Sequence, residues 1–264
     1  MTMSGKMLTG SEIIMECLLR HGVNTVFGYP GGAVIPLYDV MFKKYVHPGK
    51  MRHILVRHEQ AAAFAAGGVG RTTGKTGVCI ATSGPGATNL VTGVADAMLD
   101  NAPMIAITGQ VFSHLIGSDA FQETDSVGIL MPVVKHSYSI SKPEDIEQAF
   151  VEAFHLAETG RQGPVHIDIT KDAFIKETKY FGDLKQNLPG YKPTTEGSEY
   201  QIEKAIDLIA KAKQPIAIIG HGAMLSDAHD EVIELLETAD IPAVSTLHGL
   251  STIPVDHPNY ISML

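Results

Sequence analysis

Short, continuously apolar segments alternate with helical segments along most of this 264-residue chain, and that alternation restricts the fold more than any single motif. Residues 23–27, 52–56, 77–82, 104–108 and 165–169 read as strands; 34–44, 59–72, 87–99 and 143–159 read as helices. Ahead of them, Thr9 and Glu12 form a capping box, Ile13, Ile14, Cys17 and Leu18 recur at helical spacing, and His21-Gly22 ends the helix. Strands that are apolar along their whole length belong in a parallel sheet covered on both faces. The expected fold class is therefore α/β, a three-layer domain built on a parallel sheet. Gly182, Pro189, Gly190, Pro193 and Gly197 break the pattern, so residues 176–198 read as a linker between a first domain, 1–175, and a second α/β unit, 199–264. In that unit Ile202, Ala205, Ile206 and Ile209 share one helical face, and strands are expected at 215–219 and 243–245. So few strands have exposed edges and little core, so the second domain reads as the start of a larger, Rossmann-like one.

Composition excludes several classes of function. A formal charge of −9 argues against a general nucleic-acid surface, and no apolar run reaches the roughly 18–20 residues of a membrane span. Cys17 and Cys79 each sit in an apolar-periodic segment without metal-ligand spacing, which suits buried, reduced thiols in a cytoplasmic protein. The twelve histidines show no metal-binding spacing either.

Chemistry concentrates in five motifs. Gly28-Tyr29-Pro30-Gly31-Gly32-Ala33 follows a strand, where paired glycines let the backbone approach a ligand. Arg57-His58-Glu59 places a carboxylate at a strand-to-helix junction walled by small residues; poor solvation there raises a carboxyl pKa and suits proton chemistry. An equally open reading makes Glu59 the cap of the following helix. Thr82-Ser83-Gly84-Pro85-Gly86-Ala87-Thr88-Asn89 is a loop that a flat ligand could approach, and it is an incomplete match to dinucleotide fingerprints. Thr108-Gly109-Gln110-Val111 precedes Ile116-Gly117-Ser118-Asp119-Ala120-Phe121-Gln122-Glu123. Finally, Arg161 and Lys171 bracket the strand at 165–169; a bland reading makes them solvated basic flanks.

Together these motifs resemble the thiamine-diphosphate enzymes, and the run at 116–123 resembles the acetolactate synthases among them. The resemblance implies that residues 1–175 form a pyrimidine-binding domain and 199–264 the start of a central, FAD-associated one. It implies that Glu59 bonds the aminopyrimidine and promotes proton removal from the thiazolium carbon, the chemistry itself being the cofactor's. It places Gln122 at the active site, Tyr29, Pro30, Gly31, Thr82, Pro85 and Asn89 around the pyrimidine, and Gly32, Ala33, Phe121 and Lys171 beside the substrate. Arg161, Gly220, Gly222, Thr246 and Leu247 would meet FAD. The implied reaction is a decarboxylating condensation of pyruvate with a second 2-ketoacid, giving 2-acetolactate or 2-aceto-2-hydroxybutyrate for branched-chain amino-acid biosynthesis. Implied partners are further copies in a homodimer or tetramer and a small regulatory subunit. Ser113 stands where the family often has Pro, at the access channel; Gln162 and Thr170 also replace prolines. The Gly-Asp-Gly segment that holds Mg²⁺ in the family does not occur, so the chain reads as an N-terminal fragment, inactive alone, with the Mg²⁺ ligands in a missing C-terminal domain. Another flavin-containing thiamine enzyme, such as pyruvate oxidase, and a non-catalytic cofactor-binding module remain as alternatives.

Overall fold

The computed structural model describes residues 5–264, which divide into two units, one ending at Pro193 and one beginning at Thr194. The first unit opens with β1 (Met7–Thr9) and α1 (Gly10–Arg20), whose capping box is formed as expected: the Thr9 hydroxyl accepts from the Glu12 N–H, and the Glu12 carboxylate accepts from the Thr9 N–H. The remaining elements are β2 (Thr25–Gly28), α2 (Ile35–Met41), β3 (Arg52–Leu55), α3 (Glu59–Thr73), β4 (Gly77–Ala81), α4 (Pro85–Thr88), α5 (Val91–Leu99), β5 (Met104–Gln110), α6 (Ser126–Leu130), β6 (His136–Ile140), α7 (Ile146–Glu158), β7 (Pro164–Thr170), α8 (Lys171–Ile175) and β8 (Glu177–Lys179).

Six of these strands form one sheet in the order β3-β2-β4-β5-β7-β6, every neighbouring pair parallel. Side chains alternate across it. Val78, Ile80, Ile105, Ile107, Val165 and Ile167 face Ile13, Leu37, Phe150 and Phe174 of α1, α2, α7 and α8. Cys79, Ala81 and Ala106 face Ala62, Ala66, Val94, Ala97 and Leu130 of α3, α5 and α6. The result is the three-layer arrangement that continuously apolar strands require. Both cysteines are free and buried, and burial pushes both thiols up, Cys79 to about 12.

The second layer is thin because its residues are small. A Cβ added at Gly77 of β4 would lie 2.0 Å from the Ala66 carbonyl oxygen of α3, and one at Gly70 would lie 2.7 Å from the Pro103 carbonyl oxygen. The chain reverses its spread across the sheet at β2 and β4. The helix after β2 packs in one layer and the helix after β4 in the other, opening a crevice at the carboxyl ends of these strands.

Three expectations change. The stretch between the strand expected at 104–108 and the helix expected at 143–159 holds a strand absent from the expected set, β6, which pairs with β7 at the sheet edge. The helix expected over 34–44 is α-helical only to Met41 and continues as a π-helix over Phe42–Val46. Most of the expected linker is packed on the first unit. β8 pairs antiparallel with β1, and Tyr180 is buried. Glu147 accepts the Phe181 and Gly182 N–H groups at 2.8 and 2.7 Å, and the Tyr191 hydroxyl donates to the Thr159 carbonyl at 2.7 Å. Gly and Pro shape this segment to the surface of α7 without freeing it.

The second unit contains α9 (Glu199–Lys211), β9 (Ala217–Ile219), α10 (His221–Leu225), α11 (His229–Ala239), β10 (Ala243–Ser245) and β11 (Tyr260–Met263). Its three strands are parallel in the order β11-β10-β9 around Leu236, Ile241, Ala243 and Ile253. Ile209 of α9 packs on that core, whereas Ile202 and Ile206 on the same helix are exposed.

The α3–β4 approach makes a prediction. Gly77→Ala drives a methyl group into a backbone carbonyl, which cannot rotate away, and is expected to destabilise the fold by about 3 kcal/mol. Gly68→Ala, in α3 with nothing within 4 Å of the added Cβ, is expected to stabilise it by about 0.5–1 kcal/mol. Urea denaturation of the two variants checks this; equal midpoints would refute the packing argument.

Candidate functional site

Glu59 is the first residue of α3, and its side chain is 8% exposed. It is not the helix cap. That position belongs to His58, whose Nδ1 accepts from the Gln60 N–H at 3.2 Å, so the Glu59 carboxylate is free for another role. Its Oε2 accepts from Asn89 Nδ2 at 2.9 Å, and a Cβ on Gly86 would lie 3.4 Å from its Oε1. The carboxylate thus lies beside the Gly86 backbone and is oriented by one amide.

The loops after β2 and β4 meet beside it. A Cβ on Gly31 would lie 2.5 Å from Thr82 Cβ, and the Thr82 hydroxyl accepts from the Ala33 N–H at 3.1 Å. Tyr29, Pro30 and Pro85 stay exposed along the rim while Thr82 and Gly86 are buried. Gly84 has φ +57°, and a Cβ there would lie 2.7 Å from the Gln122 carbonyl oxygen. Glycine is required twice over at this position, once for the left-handed backbone and once for the contact. Gln122 and Asp119 also have positive φ, 59° and 57°, without glycine's freedom; such strain is held by surrounding structure and gathers at functional sites.

Next to this surface lies a cavity of about 250 Å³. It brings together all of the expected substrate-side residues, Gly32, Ala33, Phe121 and Lys171, together with Gln122. Ser83, Gln110, Phe112 and Leu115 also line it; the first two lie in motifs marked in the sequence but had no expected role, and the last two lie outside those motifs. Phe121 is 89% exposed at the cavity mouth, and Lys171 Nζ lies 5.6 Å above the Phe112 ring. The wall between residues 111 and 125 is a loop held by polar ties. Glu123 accepts the Gly117 and Ala120 N–H groups, which lower its pKa. Ser113 donates its N–H and its hydroxyl to Asp172 at 2.9 and 2.8 Å. Burial works to raise the Asp172 carboxyl, but these bonds and the Lys176 ammonium outweigh it and hold the carboxyl well below its usual range. A proline at 113 could not donate the backbone bond.

Beneath the loop, the α6-facing side of β5 and β7 is polar. His166 Nε2 and the Thr108 hydroxyl are 2.7 Å apart, and Thr108 donates to Asp168 Oδ1 at 2.5 Å. Gln110 Nε2 donates to Asp168 Oδ2 at 3.2 Å. Burial raises Asp168 to about 6, partly offset by the Thr108 and Gln110 bonds, and burial lowers His166 to about 4. Sequence reading passed over this row, although a signal was present: polar residues at alternate positions of otherwise apolar parallel strands.

Arg161 and the expected residues of the second unit are not among those lining this cavity. Arg161 precedes β7, at the end of the strand opposite Lys171, and its guanidinium bonds Asn101. In the second unit, Gly220 follows β9, while Thr246 and Leu247 follow β10. The Thr246 N–H donates to the Ile219 carbonyl at 2.9 Å, and a Cβ on Gly249 would lie 2.1 Å from the same oxygen, so the two strand ends adjoin. Gly220 and Gly222 have open space where a Cβ would be. Among the described residues no cluster of three His, Cys, Asp or Glu could hold a metal ion, and no helix is long and apolar enough to cross a membrane.

Comparison with known families decides the relationship. Residues 8–129 match the thiamine pyrophosphate enzyme N-terminal TPP binding domain, and residues 202–264 match the central domain of the same enzymes. The chain belongs to the thiamine pyrophosphate enzymes. Within that family it is 49% identical over 260 residues to a probable acetolactate synthase large subunit of Methanocaldococcus jannaschii, covering 97% of this chain and 43% of that protein. It is 50% identical over 256 residues to the acetolactate synthase large subunit of Corynebacterium glutamicum, covering 97% and 40%. The acetolactate synthase of Arthrospira platensis is 49% identical over 257 residues, covering 96% and 44%. The chain therefore spans less than half the length of these relatives.

The buried Asp168–His166 pair gives the thiamine-enzyme domain a testable pH signature. Asp168 has its pKa raised from an ordinary 3.8 to about 6, so its contribution to stability is complete below pH 4 and lost as pH rises to about 6. His166 falls from an ordinary 6.5 to about 4, so its contribution is complete above pH 6.5 and lost as pH falls to about 4. The slopes oppose one another, each up to roughly 1.4 kcal/mol per pH unit. Asp168→Asn is expected to leave a stability that rises, relative to wild type, between pH 4 and 6.5, and His166→Gln one that falls. Unfolding free energies in urea across that range measure both; unchanged slopes would sink the assignment.

Proposed function

We propose that this chain supplies the pyrimidine-binding half of an acetolactate synthase active site. The observation that carries the reading is Glu59, buried at the start of α3, turned from the capping role, and oriented by Asn89 against the bare backbone of Gly86. Similarity of about half the residues across nearly the whole chain to acetolactate synthases supports the substrate class, pyruvate and a second 2-ketoacid.

The residues present fit a heteroaromatic ring that carries a weakly basic nitrogen, since Glu59 offers it a buried carboxyl. A Cβ at Gly31, Gly84 or Gly86 would run into Thr82 or the Gln122 backbone, so glycine lets the loops after β2 and β4 pack together, and Thr82 ties the two. Tyr29, Pro30, Pro85 and Asn89 would border that ring. Thiamine diphosphate, when bound, supplies a carbon nucleophile for decarboxylation and carbon–carbon bond formation. Glu59 would hold or release the proton at a ring nitrogen, a task for which a shielded carboxyl beside a weak base is suited. Gln122 and Lys171 would orient the ketoacid carboxylate and carbonyl, Phe121 would cover the cavity mouth, and Gly32 and Ala33 would form its floor. In the second unit Gly220, Gly222, Thr246 and Leu247 would border an FAD lying across strand ends. These residues offer Mg²⁺ no site, so no step here runs through the metal. The working assembly in this reading is a cytoplasmic homodimer or tetramer, with a small regulatory subunit as a further partner.

The test uses the complete protein that carries this chain. Glu59→Gln is expected to lower acetolactate formation from pyruvate by about 10²-fold or more while thiamine diphosphate still binds. Full activity in that variant would overturn the role of Glu59. Oxygen-dependent peroxide in place of acetolactate would overturn the reaction assigned.

A further inference from the structure

Gln110 uses every polar atom of its side chain, and its bonds go to both ends of one loop. Its Oε1 accepts from the Val111 N–H at 2.9 Å, where the loop leaves β5. Its Nε2 donates to the Thr124 carbonyl at 2.8 Å, where the loop turns into α6, and to Asp168 Oδ2 at 3.2 Å. The segment between these ends carries Phe112, Leu115, Ala120, Phe121 and Gln122, most of one wall of the cavity. One amide thus closes a fourteen-residue loop at its base.

That closure works in one orientation only. Rotating the amide by 180° would set its NH₂ against the Val111 N–H and its oxygen against the Thr124 carbonyl, two repulsive contacts replacing two bonds. Asp168 selects the orientation from below. Thr108 donates to Oδ1, so its oxygen is left to accept from His166 Nε2–H, which makes His166 a neutral donor at that nitrogen. Oδ2 remains to accept from Gln110. His166 is fully buried, and its Nδ1 has no hydrogen-bond partner among the described residues.

We propose that Asp168 is a positioning residue that acts through Gln110 to hold the loop at 111–124 closed over the substrate cavity. In the row His166–Thr108–Asp168–Gln110, Thr108 and Gln110 both donate to one carboxylate, so its polarity is set deep in the sheet and read out at the cavity wall. With Asp168 titrating at about 6, the carboxylate is the acceptor this arrangement needs at neutral pH. The inference rests on the proposed ketoacid chemistry only for what the loop closes over.

The test has two readouts in the complete protein. The first is backbone hydrogen exchange of peptides covering 111–124, with peptides from β4 and α7 as internal reference. Gln110→Met keeps the side-chain length and removes all three bonds; exchange in the loop is expected to rise at least tenfold while the reference peptides do not change. Asp168→Asn, nearly isosteric, is expected to give a smaller rise confined to the same peptides, and it serves where Gln110→Met does not fold. Unchanged loop exchange in a folded variant overturns the proposal. So does acceleration of loop and reference together in both variants, which would make the pair a support of the sheet alone. The second readout is kinetic: KM for the ketoacid is expected to rise five- to tenfold in Asp168→Asn, with kcat within threefold of wild type, and a loss confined to kcat overturns it. If the wild-type protein forms no acetolactate, the proposed reaction fails, while hydrogen exchange still decides the loop.

Discussion

The approach of α3 to β4 is the constraint on which the site depends. With Gly77 against the Ala66 carbonyl, and Ala62, Ala63 and Ala66 all fully buried, the helix lies as close to the sheet as backbone allows. That distance decides where the first residue of the helix stands. A larger residue at position 77 would lift α3 and carry Glu59 away from Asn89 and Gly86, which are fixed by the loop after β4. Small residues here serve placement more than stability, since each buries little apolar surface. Glycines recur at Gly31, Gly84 and Gly86, where a Cβ would meet Thr82 or the Gln122 backbone, so the same economy of side chains that sets the helix also lets the loops beside Glu59 pack together.

A face made of backbone cannot supply chemistry by itself, and the polar groups reach it from separate elements. Glu59 arrives on a helix start, Asn89 on the turn after α4, Lys171 at the end of β7, and Gln122 on a long loop. The first three are fixed by regular structure. Gln122 is not, and its backbone sits in a left-handed conformation that costs energy. The ties at Ser113–Asp172, at Glu123 and at Gln110 compensate at three points along that loop. The ordering entropy of such a segment is large, and charged or fully used hydrogen-bonding groups are a way to meet it without burying apolar side chains that would fill the cavity.

Legibility in the sequence followed the kind of force involved. Strands β4, β5 and β7 are buried on both faces, so their apolar runs were plain, and their carboxyl ends located the motifs that follow them. The grouping of Gly32, Ala33, Phe121, Gln122 and Lys171 was reachable only through the resemblance to the thiamine-diphosphate enzymes, because residues so far apart in sequence carry no local signal of sharing one cavity. β6 was not readable: an edge strand with the sequence His136-Ser137-Tyr138-Ser139-Ile140 lacks the apolar signature of its neighbours. The segment at 177–193 was misread because glycine and proline mark loss of regular structure, whereas its attachment comes from Glu147, Tyr180 and Tyr191, long-range contacts that composition does not report. The capping question at Glu59 turned on His58, a residue whose ring nitrogen accepts a bond more often made by Ser, Thr, Asp or Asn.

Two buried carboxylates at the same end of the sheet show how environment divides the work. Glu59 accepts a side-chain bond from Asn89 at Oε2, and its Oε1 lies beside the Gly86 backbone, so that oxygen remains for a ligand. Asp168 accepts a bond at each oxygen, from Thr108 and Gln110, and lies under the loop outside the residues that line the cavity. Burial is nearly equal for the two, 8% and 4% exposed, so burial alone does not separate a chemical role from a structural one. The deciding quantity is the count of acceptor sites left unfilled by the protein. By that measure a carboxylate close to the reacting atoms acts on them, and one spent on its neighbours acts by fixing where those neighbours stand.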